Sequence, residues 1–74
     1  MMKILIVIDM NEAPKKIVYH STINEEYALP YHVEDFFEQA GIKVDYTCID
    51  IIADNLSSDG GFDYKNFHFE MLFI

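Results

Sequence analysis

The sequence predicts a small α+β domain in which one helix covers a four-stranded, mainly antiparallel sheet, in the order ββαββ. Three observations predict it: a β-branched apolar segment near the start, further segments with alternating apolar residues, and one segment with apolar residues every three to four positions. Periods of two and of 3.6 distinguish strands from helices. A sheet with a helix on one face is a two-layer domain. The 74 residues predict a single domain, residues 1–74.

Four segments have the composition and pattern of strands. The first, KILIVIDM, is apolar on both faces, as expected of a central strand. The second alternates and should be half-buried, with Ile17, Tyr19, Ser21 and Ile23 on one side. The third begins with clean alternation, and its pattern changes face near Cys48, which indicates a bulge or bend. The predicted strands are residues 3–10, 16–23, 42–51 and 62–73.

One segment has the period of a helix, and we predict that it covers residues 30–40. Pro30 suits the first helical position, and Gly41 suits a left-handed cap after the last. The connection before Pro30 leaves a second possibility open, a longer helix with a kink at Pro30. The apolar stripe consists of Val33, Phe36, Phe37 and Ala40.

Charge and cysteine content restrict the class of partner and the compartment. The chain has 13 acids, five lysines and no arginine, a formal net charge of −8. This charge argues against direct binding of nucleic acid or anionic lipid, which requires basic surfaces. With 51% hydrophobic residues the chain should nevertheless fold. The single cysteine, Cys48, cannot form an internal disulfide, which favours the reducing cytoplasm, and no apolar run has membrane length.

The segment LIVIDM, ending in Asp9 and Met10, resembles the first strand of isochorismatase-like hydrolases. That resemblance implies a parallel strand with Asp9 as a catalytic base. Those enzymes are more than twice as long and also use a lysine and a cysteine, for which Lys43 and Cys48 have no matching context. A small hydrolase that uses Asp9 is therefore the least favoured function, and we interpret Asp9 as the end of a strand.

No other pattern indicates catalysis or metal binding. Cys48 has no basic neighbour or helix start to activate its thiol. The histidines His20, His32 and His68 are too far apart in sequence for a ligand pair. We predict no catalytic residue, no metal and no cofactor.

The solvent face of the predicted helix is entirely negative. Glu34, Asp35 and Glu38 lie there without a lysine, although soluble helices usually mix signs. Carboxylates along a helix and a neighbouring loop can imitate the phosphates of a DNA strand, but the same acids could also serve only solubility. The predicted partner-binding residues are Glu25, Glu26, Tyr27, Tyr31, Glu34, Asp35, Glu38 and Asp45.

The segment FHFEMLFI is apolar on both faces of a predicted strand, and one helix cannot cover two sheet faces. A second copy is the simplest cover, so we predict a homodimer. Its interface should contain Phe67, Phe69, Met71 and Phe73. HFEMLF, residues 68–73, also resembles the peptides that dock on the bacterial DNA sliding clamp, with His68 in place of their opening glutamine.

In size, charge and lack of catalytic machinery, the chain resembles phage-encoded inhibitors that take over a host by mimicking DNA. This resemblance implies a cytoplasmic inhibitor that blocks the DNA-binding channel of a host protein. The sliding clamp is the first expected target, followed by RNA polymerase, a nucleoid protein or a defence nuclease. The alternative is an antitoxin-like or regulatory module that binds a dedicated partner by strand-edge pairing.

Overall fold

The computed structural model describes residues 1–74 as four strands and two helices in two layers. The elements are β1 (Lys3–Asp9), β2 (Lys16–Thr22), α1 (Leu29–Ala40), α2 (Tyr46–Asp59), β3 (Gly61–Tyr64) and β4 (Phe67–Phe73). The strands form one antiparallel sheet in the order β2-β1-β4-β3. Two hairpins therefore meet where β1 pairs with β4, and the predicted α+β class is confirmed.

The first half of the predicted order is confirmed closely. β1, β2 and α1 begin and end within one residue of their predicted limits. Pro30 lies in the first turn of α1, and Gly41 caps the helix with a φ of 70°. A separate 3-10 turn, Glu26–Ala28, runs directly into α1, so the helix is not extended through a kink at Pro30.

The predicted strand 42–51 is wrong, because a second helix begins inside it. α2 starts at Tyr46, where the carboxylate of Asp45 accepts a hydrogen bond from the Cys48 backbone N–H at 2.8 Å. The segment predicted as a loop after residue 51 is the rest of this helix. Its buried residues have helical spacing: Ile49, Ile52, Ala53 and Leu56. The bend predicted near Cys48 is consequently absent.

The predicted strand 62–73 is also wrong in one respect, because it is a hairpin of two strands. Lys65 and Asn66 form its turn, and Lys65 has a positive φ of 54°. The Asn66 side-chain amide donates to Asp9 at 3.1 Å, which ties this turn to the end of β1. Lysine rather than glycine occupies the left-handed position of this turn. The sequence therefore has no glycine or proline that would mark it.

Both helices pack on the same face of the sheet. The core contains 14 buried residues, all apolar or aromatic, drawn from both helices, β1, β2 and β4 and from Ile23 just after β2. Phe36 of α1 lies at its centre, with ring centroids 5.7 Å from Tyr19, 5.1 Å from Phe67 and 5.5 Å from Phe69. Alternate residues of β1, Leu5 and Val7, are fully buried beneath the helices.

The opposite side of the sheet, here called the open face, is covered by no part of the chain. An irregularity between Val7 and Ile8 shifts the pairing of β1 with β2. As a result Ile17 pairs with Ile8 and is 54% exposed, although alternation alone placed it with Tyr19. The open face carries an apolar cluster of five residues: Ile4, Ile6, Ile8, Ile17 and Leu72.

Candidate protein-interaction surface

The net charge of the protein lies entirely in one segment. Residues 25–59 contain nine of the 13 acids and one of the five lysines, so their formal charge is −8. The remaining four acids and four lysines cancel. Because residues 25–59 form the 3-10 turn, α1, α2 and their connections, the helical layer is strongly acidic and the sheet is close to neutral.

A groove of about 400 Å³ lies between the 3-10 turn, the start of α1 and the start of α2. Three tyrosines that line it are 76%, 69% and 73% exposed, in chain order. Aromatic side chains with so much free surface are well suited to contact a partner, because they bury a large area with few rotatable bonds. We call this feature the tyrosine groove, and define it by Tyr27, Tyr31, Glu34, Tyr46 and Asp50.

A second depression of about 320 Å³ continues the tyrosine groove along α1. Glu34 and Tyr46 line both, and Glu38 adds a carboxylate to the second. Lys43, the single cation of residues 25–59, also lies in this second depression. The two depressions together form an acidic and aromatic surface between the helices, with one cation at its far end.

The structure brings together only some of the predicted partner-binding residues. Tyr27, Tyr31 and Glu34 meet in the tyrosine groove, and Glu38 lies next to it. Glu25 and Glu26 are exposed at the 3-10 turn. There the Glu26 carboxylate lies 3.8 Å from the Lys3 ammonium.

Two predicted binding acids have structural partners instead. The Asp35 carboxylate accepts hydrogen bonds from the Tyr19 hydroxyl at 2.9 Å and the Gln39 side-chain amide at 3.1 Å, on the side of α1 that faces β2. Burial raises the pKa of the Tyr19 phenol, and the Asp35 carboxylate raises it further. Asp45 caps α2. Glu34, Asp35 and Glu38 therefore do not form a single face directed at one partner.

Tyr46 and Asp50 complete the groove, and neither is among the residues predicted to bind a partner. Both lie in the segment predicted as a strand. The spacing of Ile49, Ile52 and Ala53 signals a helix and places residues 46 and 50 one turn apart on another side of it. A carboxylate on α2 therefore faces the carboxylates of α1 across the groove.

A separate polar cluster lies on the open face. His68 of β4 contacts Asp63 through Nδ1 and Glu70 through Nε2, the latter at 2.7 Å. The hydrogen bonds to Glu70 and Asp63 raise the pKa of this histidine above its ordinary value of 6.5. The cluster includes no nucleophile, and no group of three or more side chains is arranged to hold a metal ion. Its chemistry is that of an ion pair.

Asp9 does not occupy the position that the isochorismatase-like resemblance implies. Its carboxylate accepts hydrogen bonds from the Asn11 backbone N–H at 2.9 Å and the Asn66 amide at 3.1 Å. β1 pairs antiparallel with both neighbours, whereas the isochorismatase-like resemblance implies a parallel sheet. Asp9 ends a strand and orders two turns.

The residues predicted for the dimer interface lie on the wrong side of β4. Phe69 is fully buried and Met71 is 7% exposed, both beneath the helices, and Phe67 packs against the same core. Phe73 alone is more than half exposed. The choice of face is wrong because residues 67, 69, 71 and 73 alternate toward the two helices, whereas the uncovered face of β4 carries Leu72. Since residues 68–73 are part of a paired strand, the resemblance to a clamp-docking peptide loses its structural basis as well.

No protein-family model, curated protein or solved structure matches this chain. None of its helices has both the length and the apolar character needed to cross a membrane.

Proposed function

We propose that this protein is an inhibitor that occupies the DNA-binding surface of a basic protein with its acidic helical layer. The observation that carries the proposal is the segregation of charge: residues 25–59 hold the whole net charge of −8. Acids required only for solubility need not collect on one layer. A partner with rows of lysine and arginine would meet carboxylates where it normally meets phosphates.

The tyrosine groove supplies the binding affinity that exposed charges alone do not provide. Exposed carboxylates steer a basic partner and raise the rate of association, but each contributes little affinity. Large aromatic side chains usually contribute most of the binding energy of an interface. Tyr27, Tyr31 and Tyr46 stand beside Glu34 and Asp50, so each aromatic contact is adjacent to a carboxylate that can pair with a cation.

The proposed targets are DNA-binding proteins of a bacterial host, in whose cytoplasm the inhibitor would act. They include the sliding clamp, RNA polymerase, a nucleoid protein and a defence nuclease. Residues 68–73 are part of a strand of the sheet and are not free to act as a docking peptide. The sliding clamp is therefore no more favoured than the other three targets.

The proposal is tested by binding to each of these four purified targets at two salt concentrations. Screening shortens the range of exposed charges to about 8 Å at physiological ionic strength, from about 30 Å at 0.01 M. We expect the dissociation constant of the true target to rise at least about tenfold across this range, and duplex DNA to displace the inhibitor. If none of the four binds, or if binding survives both salt and DNA, DNA mimicry is wrong.

Two charge reversals locate the binding surface. Glu34→Lys changes the tyrosine groove, whereas Glu12→Lys makes the same charge change in the turn between β1 and β2. We expect Glu34→Lys to weaken target binding about tenfold, or about 1.4 kcal/mol, and Glu12→Lys to weaken it much less. Equal losses would mean that net charge alone matters, and circular dichroism of both variants controls for folding.

A second candidate function is binding of a dedicated protein along the free edge of β2. This strand lies at the end of the sheet, and its residues Ile17 and Val18 are 54% and 41% exposed. An exposed strand edge offers unpaired backbone groups to another chain. A partner bound in this way would resist salt and DNA, so the same two measurements distinguish the candidates.

A further inference from the structure

The open face has an apolar centre on β1, although His20 and Thr22 of β2 also lie on this face. Ile4, Ile6 and Ile8 project from β1, an inner strand of the sheet, on the side that no helix covers. Together with Leu5 and Val7 on the helical side, they make β1 apolar on both faces. This pattern is typical of strands that are covered on both sides. Ile17 and Leu72 extend the apolar cluster onto the neighbouring strands and are 54% and 38% exposed.

The charge around the open face restricts what can cover it. Residues outside the segment 25–59 have a formal net charge of zero. Asp63 and Glu70 are the carboxylates of this face, and both are paired with His68. A strongly basic partner would bind the acidic helical layer instead. A strongly acidic partner would find no complementary positive charge on the open face. No strand lysine points to this face and its two carboxylates are already paired, so its apolar cluster complements an apolar surface such as that of a second copy.

We propose that a second copy of this chain covers the open face, with the two sheets packed face to face and β1 near the two-fold axis. This homodimer is independent of the proposed inhibitor function, since it uses the opposite side of the molecule. It differs from the dimer predicted from the sequence, because Phe69 and Met71 belong to the chain's own core.

The arrangement also separates the charges of the two copies. Packed sheets lie about 10 Å apart, and each helix adds a layer about 10 Å thick. The two acidic helical layers would therefore lie on the outside, roughly 30 Å apart, well beyond the screening length of about 8 Å. Contact through any surface of the helical layer would instead bring carboxylates of both copies together.

The area is adequate for a small homodimer. Three strands of seven residues span about 23 Å each and β3, with four residues, about 13 Å; at about 4.8 Å per strand the open face covers roughly 390 Å² in projection. Side-chain relief makes the accessible area larger, which brings it toward the roughly 800 Å² per partner of a standard interface. His68 and Glu70 lie on β4 opposite Ile8 and Ile6, so the interface includes this cluster, whose charges are already paired with one another.

Sedimentation equilibrium at about 1 to 100 µM is the test, with the intact chain. We expect a mass of twice the 8.7 kDa monomer, with little dependence on salt. Ile6→Lys places an unpaired charge at the centre of the proposed interface and should raise the dimer dissociation constant at least about 100-fold. Ile51→Lys is the matched control, since Ile51 is 49% exposed on α2, and it should remain dimeric.

Two results would overturn the proposal. One is a wild-type chain that stays monomeric at all these concentrations. The other is a dimer that persists in folded Ile6→Lys, because edge-to-edge pairing through β2 would leave Ile6 one strand away from the contact. If circular dichroism shows that Ile6→Lys does not fold, Leu72→Lys replaces it, since Leu72 is already 38% exposed and lies on β4, two strands away from the β2 edge.

Discussion

Lys65 holds the turn of the second hairpin in a backbone conformation that its side chain disfavours. Its φ of 54° lies in the left-handed region, which costs about 1–2 kcal/mol for a residue with a β-carbon. Glycine removes that cost. It also lowers the free energy of unfolding by about 0.5–1 kcal/mol, because it gives the unfolded chain more conformational freedom. We expect Lys65→Gly to stabilise the fold by up to about 1 kcal/mol and raise Tm by about 4–8 °C.

Lys65→Ala is the control for this change. It removes the same charge and the contact of the lysine ammonium with the Tyr64 ring, 5.4 Å from the ring centroid, but keeps the β-carbon. Thermal unfolding of both variants should show a gain for glycine alone. A similar gain for alanine would attribute the effect to the lost charge.

His68 should make the stability of the protein depend on pH near neutrality. Its hydrogen bonds to Glu70 and Asp63 raise its pKa in the folded state above 6.5. A raised pKa means that the folded protein holds this proton more tightly than the unfolded chain does. The resulting stabilisation is fully present below pH 6.5 and is lost as the pH rises through the folded-state pKa.

We therefore expect the stability difference between wild type and His68→Gln to shrink as the pH rises from about 6 to 9. Urea unfolding of both proteins measures it, and comparison with the variant removes any pH dependence that the two proteins share. An NMR titration of the imidazole protons gives the pKa directly. A folded-state value at or below 6.5 would show that the two carboxylates do not hold the proton.

At the scale of single elements, α2 depends on the capping residue before its start and tolerates an unfavourable last residue. The Asp45 side chain caps the helix through the Cys48 N–H, and its negative charge also suits the positive end of the helix dipole. Asp59 has the same charge at the opposite end, where the dipole disfavours it. Asp45→Ala should destabilise the protein by about 1 kcal/mol, and Asp59→Ala should stabilise it by a few tenths.

Each variant is the control for the other, because both substitutions remove one exposed carboxylate and make the net charge less negative by the same amount. Chemical denaturation of the two variants should give changes of opposite sign. If both stabilise the chain, relief of self-repulsion at a charge of −8 outweighs helix capping.

The elements that the sequence predicts well are those whose periodicity and end signals agree. In α1 the stripe through Val33, Phe36 and Phe37 lies between Pro30 and Gly41, so pattern and boundaries point to the same helix. Before α2, alternation through Ile42 and Val44 runs into a helical pattern that begins at residue 49. Two partly buried loop residues produced the false alternation, since burial in a loop has no fixed period.

The candidate surface was partly predictable for the same reason. Tyr27, Tyr31 and Glu34 follow from the position of one correctly placed helix. Tyr46 and Asp50 required the second helix and the way it packs against the first, which is a tertiary property. The hydrogen bond from the Tyr19 hydroxyl to the Asp35 carboxylate joins residues 16 positions apart, and no local pattern in the sequence predicts it.

At the scale of the whole molecule, the two surfaces proposed here lie on opposite sides and differ in physical character. The helical layer is charged and aromatic, and its contacts should weaken with salt. The open face has an apolar centre, and contacts there should persist in salt. A dimer would display two copies of the acidic layer facing outward, so one particle could hold two target molecules.

The strand order has a consequence for how the chain folds. Each hairpin forms from residues close in sequence, whereas the pairing of β1 with β4 joins Leu5 to Met71. Contacts at such separations require closure of nearly the whole chain, and they slow folding relative to local ones. We therefore expect the two hairpins to form first and the pairing of β1 with β4 to be a late step. Until that step, β1 leaves one edge unpaired, and this is the interval in which the chain is most exposed to aggregation.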